Sequence, residues 1–488
     1  MKKNNFYIGS FLLLALSMGS CKKEFLHPEP DSILTTANFF KTANDLDQAT
    51  IATYSRYQAR KPFDYLIMEL PSDNLYLSAN AAIAAAFDID ALTVNSENNT
   101  VLNFWNNTYN CIFRANSVLV NIDKPTNYKA GQKEQLMGEA KFLRALFYFD
   151  LVRIFGGVPK VTKPLTVEES RATPRASQEE IYQFIVSDLQ DAITNLPATM
   201  PRGRASKSAA VAMLAKVFVY RKDWNNAKTY LDQMEQFSHS LVPNFSSLFK
   251  VATEDNAEAI FSLKYTDGTN GHTLSTAFIP NGGAAGIVNR GDEVALPSYS
   301  LWKKYEAGDT RKAATVSEDY TPPSGGASIK YPYVSKFAVQ HTFGSSGLDI
   351  PVIRFADVVL LRAEVYFNLN QPDKALTELN KIRERAFGDA THNYTLADIA
   401  TEELFYDKLL LERQLEFAYE NERWFDLVRT GRFVTVLATE ERGFNFSSQT
   451  PNVAILNPQP FEKVFPIPYT QIAQANPGVL EQNEGYTR

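Results

Sequence analysis

The chain predicts a mostly α-helical fold: tetratricopeptide-like helix pairs, an irregular middle made of loops, and minor β pieces. Three observations carry that expectation. Apolar residues recur at steps of three and four through much of the 488 residues. Two segments far apart in the chain, 214–227 (LAKVFVYRKDWNNA) and 361–375 (LRAEVYFNLNQPDKA), place alanines twelve apart, at Ala215 and Ala227 and at Ala363 and Ala375, with Phe218 and Tyr366 three residues after the first. Small residues at such offsets let paired helices approach closely, as in tetratricopeptide units. Residues 261–349 mix glycine, serine, proline and aromatics without period; a long irregular stretch of this kind in a compact domain is usually functional or disordered, and its embedded aromatics and short β-like pieces argue for ordered binding loops.

The elements begin with a segment that takes no part in the fold. Lys2 and Lys3 precede an apolar run over 6–16, and Gly19 and Ser20 lead into Cys21. A charged start, a short apolar run and a small-residue exit read as a cleaved secretory signal; the run is too short for a span of about 20 apolar residues. With a cysteine at the exit it resembles a bacterial lipoprotein signal, in which the thiol is acylated and becomes the first residue of the mature chain. Several acyl chains hold a protein stably where one does not. The plainer alternative is an ordinary secretory signal that ends near a cysteine. The expected division is a signal over 1–20, lipidated Cys21 and a tether over 21–40, then a single helical domain over 41–488. Its N-terminal part covers about 41–250 and its C-terminal part about 256–488.

Thr42 to Asp45 offers capping residues for a first helix, followed by Leu46, Ala49 and Ala52 at steps of three and the pair Tyr54 and Tyr57. The clearest helix covers 132–155. Leu136, Ala140, Leu143, Phe147, Leu151 and Ile154 form one stripe, and Phe142, Ala145, Phe149 and Val152 a second. A helix apolar on two sides is packed on two sides. Gly156-Gly157 ends it and Pro159 blocks its return. Further helices are expected over 178–195, 206–220, 224–237, 352–369, 371–387 and 401–428.

Hydrophobic content of 44% with 21% charged residues is that of a folded globular chain. The formal charge is −6, and loss of Lys2 and Lys3 leaves −8. That balance argues against a nucleic-acid partner, whose phosphates demand a basic face. With Cys21 at the signal boundary, Cys111 stands alone, so no internal disulfide is expected and stability must come from a core. Cys111 lies among Tyr109, Ile112 and Phe113 and reads as a buried, inert thiol.

No catalytic or metal-binding constellation stands out, and no cofactor or metal is expected. The five histidines, His27, His239, His272, His341 and His392, include no i, i+4 pair, two cysteines cannot build a zinc cluster, and GxSxG, Walker A and GxGxxG patterns are absent. Paired carboxylates, all that a glycosidase needs, stay open because sequence does not show their separation. Glu179-Glu180 and Glu402-Glu403 sit where helices begin and suit the dipole there. Asp150 with Arg153, Asp426 with Arg429, and the column Glu412, Glu416 and Glu420 beside Arg413 and Arg423 form either an ion site or a salt-bridge network that sets helix register. Intra-helix pairs are common, and the network is the expected reading.

The run GEAKFLRALFYFDLVRIFGGVPKVTKP (138–164) resembles a hallmark of the SusD/RagB family of outer-membrane nutrient-binding lipoproteins. So do IRFADVVLLRAEVYF (353–367), LLLERQLEFAYENERWFDLVRTGRF (409–433) and VFPIPYTQIAQANPGVLEQNEGY (464–486). Trp105, Tyr109, Ile112 and Ala115-Asn116 resemble the family's early helix pattern, and Cys21 stands where the family has its lipidation cysteine. The resemblance covers nearly the whole mature chain. It implies tetratricopeptide-like helix pairs forming a platform, with irregular ligand-binding loops on the other side. It also implies a lid on a SusC-like TonB-dependent transporter, capturing a nutrient, commonly a glycan, at the cell surface and passing it inward. Catalysis is not implied; a lipid-anchored place on the outer membrane is.

A glycan would meet aromatic faces with its C–H faces and a few polar groups with its hydroxyls. Aromatics in helices are assigned to the core, Trp224, Trp302 and Trp424 among them, so the candidates lie in loops. Tyr76, Phe87, Tyr320, Tyr331 and Tyr333 are the expected stacking rings, with Asn74, Asn281 and Arg290 as polar contacts. Each also has a scaffold reading, since loop tyrosines pack locally. The ligand stays open between a neutral glycan oligosaccharide, a glycoprotein chain and a peptide. Two other functions stay open as well: a helical-repeat scaffold that binds a protein partner, and a surface-attached glycosidase.

Overall fold

The computed structural model describes residues 39–439, 441–445, 448, 450–452 and 456–487; the signal, Cys21 and the tether to residue 38 lie outside the described residues. Helix α1 (Ala43–Arg60) starts from a capping box in which Thr42 and Asp45 satisfy each other's backbone amides. Asn98 caps α2 (Asn99–Asn121), and α3 (Gln132–Phe155), α4 (Gln178–Asn195), α5 (Lys207–Tyr220) and α6 (Trp224–Gln233) follow. Beyond the irregular middle come α7 (Phe355–Asn368), α8 (Pro372–Phe387) and α9 (Glu402–Phe417). Each helix from α1 to α6 packs on the next, α6 packs on α7, and α7 pairs with α8. The molecule is thus mostly helical, built on tetratricopeptide-like pairs.

The stacking brings the two similar segments together. Lys222 and Asn370, each seven residues after the first alanine of its unit, both hold a left-handed φ of +56°. The amides of Asp223 and Gln371 close the two turns on the carbonyls of Phe218 and Tyr366, each at 2.9 Å. Ala215, Ala227, Ala363 and Ala375 have no exposed surface, so the helices meet where a side chain beyond Cβ would not fit. Both stripes of α3 are buried, and one apolar core runs from Tyr54 in α1 to Leu480 near the C-terminus. Cys111 is fully buried within it.

Besides the two-residue antiparallel pair Val158–Pro159 and Arg175–Ala176, the strands are short: β1 (Leu75–Leu77), β2 (Ala259–Leu263), β3 (Ala295–Pro297), β4 (Val316–Tyr320), β5 (Ile329–Val334), β6 (Ile350–Arg354), β7 (Gly443–Asn445) and β8 (Thr450–Asn452). They pair antiparallel as β1 with β3, β2 with β6, β4 with β5, and β7 with β8.

Three helix boundaries depart from expectation. Residues 352–354 belong to β6, because their backbone pairs with β2, and the helix begins only at Phe355. The α-helix expected over 224–237 stops at Gln233 and closes as a 3₁₀ turn over Met234–Gln236. The long helix expected over 401–428 breaks after Phe417 and resumes at Arg423–Arg429. At the break Tyr419 and Asn421 take φ of +68° and +70°, and their amides donate to the buried Glu69 carboxylate at 2.8 and 2.9 Å. A tertiary partner overrode the periodic pattern.

The acidic column forms a buried ion network. Glu412 meets Arg311 at 2.9 Å and Arg383 at 2.6 Å; Glu416 meets Arg354 at 3.0 Å and Arg385 at 2.6 Å; Glu420 meets Lys336 and Arg354, both at 2.8 Å. Burial pushes Glu416 up, but Arg385, Arg354 and Arg311 outweigh it and hold the carboxyl at about 2. Asp150 pairs with Arg153 at 2.9 Å, and Asp426 bridges Arg429 and Arg413 at 2.9 and 2.7 Å. The pairs of the acidic column pin the α9 segment to α8, β6 and the central loops, whereas Asp150–Arg153 and Asp426–Arg429 each lie within one helix.

Candidate functional site

The loops gather around one carboxylate. Residues 277–294 fold back on themselves: Val294 donates to the Ala277 carbonyl at 2.7 Å, Glu293 to Ile279 at 3.1 Å and Gly291 to Asn281 at 3.3 Å. The approach is so close that a Cβ on Gly291 would lie 2.1 Å from the Ile279 carbonyl oxygen. Glu293 leaves this loop with φ of +44°, a conformation that costs a non-glycine residue roughly 1–3 kcal/mol. It is only 4% exposed. Its Oε1 accepts hydrogen bonds from the Ser78 hydroxyl at 2.9 Å, the Asn80 amide at 2.9 Å and the Tyr331 hydroxyl at 2.6 Å, while Oε2 accepts from the Asn281 backbone at 3.0 Å.

Half-buried rings surround this centre. The Tyr320 ring stands edge-on to Tyr331 at 6.2 Å across the β4–β5 hairpin. Burial, then the Glu293 carboxylate, raise the Tyr331 hydroxyl well above its ordinary value, so it stays a protonated donor. Tyr76, on β1, is raised by burial first; the Phe444 backbone and the Glu293 carboxylate are its next neighbours. A second group of rings stands where the end of β3 meets the chain before β1 and β7: Ser298 donates its amide to the Asn74 carbonyl at 2.9 Å and Tyr299 to the Arg442 carbonyl at 3.0 Å. There Tyr299 and Phe444 stack at 5.5 Å with 19° between planes, and Trp302 sits 5.1 Å from Phe444 and 5.6 Å from Tyr299, tilted by 58° and 65°. Ser298 caps the short helix Tyr299–Trp302, which turns the two rings to one side, and the Lys303 ammonium lies 5.1 Å over Tyr299. Tyr299, Trp302 and Phe444 are all half-buried.

Of the eight residues expected to touch ligand, Tyr76, Asn281, Tyr320 and Tyr331 come together here. Arg290 and Phe87 lie exposed at the edges. The Arg290 guanidinium stacks 4.8 Å over Phe343, and Phe87, 43% exposed, stands on the short helix Ala84–Asp90, whose Asp90 is bonded to Arg442 beside β7. The other two expectations need correction. Asn74 has no exposed surface; its amide donates to Glu69 at 2.7 Å and accepts from Gln414 at 2.8 Å, so it belongs to the core. Tyr333, 6% exposed, packs with Ile279, Ala284 and Val288 in a small apolar cluster, so it belongs to the core. Of the tryptophans assigned to the core, Trp424 is fully buried, and Trp224 and Trp302 both pack partly buried against it, Trp302 with its ring beside Tyr299 and Phe444.

Glu293, Tyr299 and Phe444 were not legible as site residues. A lone glutamate carries no spacing signal; the Tyr299 and Trp302 pair, three apart after a capping serine, was the one cue available. Rings with neutral donors and acceptors suit binding of an uncharged, hydroxyl-rich ligand. Among the described residues no group of three or more His, Cys, Asp and Glu is placed to hold a metal ion. The molecule also carries a groove of about 720 Å³ on its helical side, between α2, the helix Val167–Ala172 and the helix Tyr469–Gln474, with Trp105, Tyr109 and Leu480 in its lining.

Known proteins resemble the chain over nearly its whole length. Residues 24–219 match a family described as SusD-like, starch-binding associating with outer membrane, and residues 253–486 match the SusD family. The SusD-like protein P25 of Formosa agariphila is 29% identical, over 100% of this chain and 100% of that protein. A crystal structure of a SusD-like protein from Bacteroides fragilis superposes with a TM-score of 0.78 at 22% identity, covering 95% of this chain and 99% of that one. Surface glycan-binding protein A from Bacteroides thetaiotaomicron, in complex with laminarihexaose, superposes with a TM-score of 0.75 at 20% identity, covering 91% and 99%. At these identities the two structures speak for the fold.

Proposed function

The chain belongs to the SusD family, and from that premise we propose that it is a glycan-binding lipoprotein of the cell surface that hands its ligand to a SusC-like TonB-dependent transporter. The observation that carries the reading is the face of half-buried rings, Trp302, Tyr299, Phe444, Tyr76, Tyr331 and Tyr320, set around polar groups. Aromatic faces take the C–H faces of sugars, and the amides and hydroxyls between them take the sugar hydroxyls. Arg290, Asn281 and Phe87 extend the face at its rim. The rings do not share one plane, which favours a chain that bends over a flat ribbon; a structural neighbour crystallised with laminarihexaose supports a glucan of that shape.

Binding without turnover is the proposed role. The SusD-like family is described as associating with the outer membrane, and among the described residues no helix is long and apolar enough to cross one. That agrees with anchoring through acylated Cys21, for which fatty acid on the amino-terminal residue of the intact protein is the check.

Affinity gels containing a panel of polysaccharides test the function. Retardation is expected in a bent β-glucan such as laminarin, and Trp302→Ala is expected to weaken binding about tenfold, or ~1.4 kcal/mol. Reducing sugar released by the wild-type protein would instead make it an enzyme, and wild-type mobility throughout the panel would remove the glycan.

A further inference from the structure

We infer that Glu293 is the positioning residue of the ligand face: one buried carboxylate ties three separate loops into a single surface and sets which way that surface's hydrogen bonds point. The inference rests on the glycan reading above and deepens it.

Four donors meet on this carboxylate. Two come from the loop after β1 (Ser78 and Asn80), one from the loop before Glu293 (Asn281 N) and one from the hairpin strand β5 (Tyr331). Ser78 and Asn80 lie more than two hundred residues away in sequence, so no local rule joins them to Tyr331; the carboxylate does. Around Glu293 the loop is over-determined. Its own amide, that of Asp292 and that of Val294 all bond back to the 276–279 segment, and the Ser78 amide bonds to the Val294 carbonyl at 3.0 Å. This holds Glu293 in a left-handed conformation that a free loop would abandon. No arginine, lysine or histidine pairs with Glu293 in the ion pairs of the described residues, in contrast to the acidic column on α9. Its partners are neutral side chains and one backbone amide, all of them at the ligand face.

The polarity follows from chemistry. The Glu293 oxygens accept at every one of these four contacts, so each group facing them presents a hydrogen. Asn80 must turn its NH₂ toward Glu293 and its carbonyl oxygen away, although an amide in a neutral setting sits either way round. The exposed end of Asn80 is then an acceptor. A ligand hydroxyl that meets it must donate, and a ligand group without a hydrogen at that point is rejected.

The experiment pairs Glu293→Gly, Glu293→Gln and Tyr331→Phe with the wild-type protein. It measures amide hydrogen exchange without ligand over 78–83, 279–291 and 316–334, and affinity for the best glycan of the panel. Glu293→Gly accepts the left-handed backbone and deletes the tie. It is expected to raise exchange in all three segments together and to weaken binding at least tenfold. Tyr331→Phe removes one bond and is expected to loosen 316–334 alone; it carries the test should the glycine variant not fold. Glu293→Gln keeps the shape but puts an NH₂ against its donors, and is expected to bind more weakly than wild type. Unchanged exchange in the three segments overturns the inference even if affinity falls, because the carboxylate would then act on the ligand directly. Unchanged affinity with raised exchange overturns it as well. Should the wild-type protein bind no glycan, the function is wrong, and exchange alone judges the tie.

Discussion

Arg311 shows how a single buried charge becomes structural in this protein. It has no exposed surface and meets Asp309 at 2.7 Å, Glu412 at 2.9 Å and Glu416 at 3.8 Å. Attraction among these groups offsets a desolvation cost that none could bear alone. Arg311→Met, of similar length and no charge, would leave the carboxylates short of a cation, and we expect a loss of about 3–5 kcal/mol in urea unfolding, the range for breaking a buried pair. A loss below about 1 kcal/mol would show that the remaining arginines suffice. Glu293 solves the same problem with neutral donors. Of the first solution only the i, i+4 column of glutamates was legible: Arg413 and Arg423, its neighbours in sequence, pair instead with Asp357, Asp426 and Asp73, and the column's cations come from distant segments; a lone glutamate after glycine and aspartate has no spacing at all. Trp302 lies in a helical piece only one turn long, and its ring packs partly buried against the core while also standing beside Tyr299 and Phe444, so a core assignment and a place on the proposed face are compatible.

At the scale of elements, the repeat-like segments were read from four alanines, and those alanines are the contact. Ala375 at the α7–α8 approach has no exposed surface. Ala375→Leu would force extra methylenes into a filled site, and we expect it to cost ~1–3 kcal/mol, with Ala375→Ser costing less. Thermal melting of the pair decides: equal midpoints would mean that the helices can part at no cost. Helix α3 was legible to its ends because two apolar stripes, a diglycine and a proline all agree. The start of α7 and the end of α9 were not. Residues 352–354 are apolar enough for helix or strand, and only pairing with β2 selects the strand. The break at Ala418–Glu422 is imposed by Glu69, more than three hundred residues away, whose carboxylate takes the amides that a continuous helix would have used.

For the whole molecule, the balance of buried carboxylates predicts the response to pH. Glu416 at about 2, with Asp73, Asp357 and Asp426 also held below their ordinary values, gains stability from its cations above pH 4–4.5 and loses it as pH falls toward 2. Burial raises Glu69 to about 7 and Asp349 to about 6, so the folded state takes up protons there before the unfolded chain does, and stability rises as pH falls from 7 to 4. The melting temperature is therefore expected to hold or rise slightly from pH 7 to 4 and to drop steeply below it; a steady decline from pH 7 would show that the raised groups do not govern that range. Periodicity and small-residue spacing by themselves determined a helical-pair protein with an irregular middle, because each is a local rule written in neighbouring residues. Which loop residues share the proposed ligand face is legible only in the tertiary structure. Tyr76, Glu293, Trp302, Tyr331 and Phe444 are brought together by strand pairing and by one carboxylate, and donors so distant in the chain have no local signature to read.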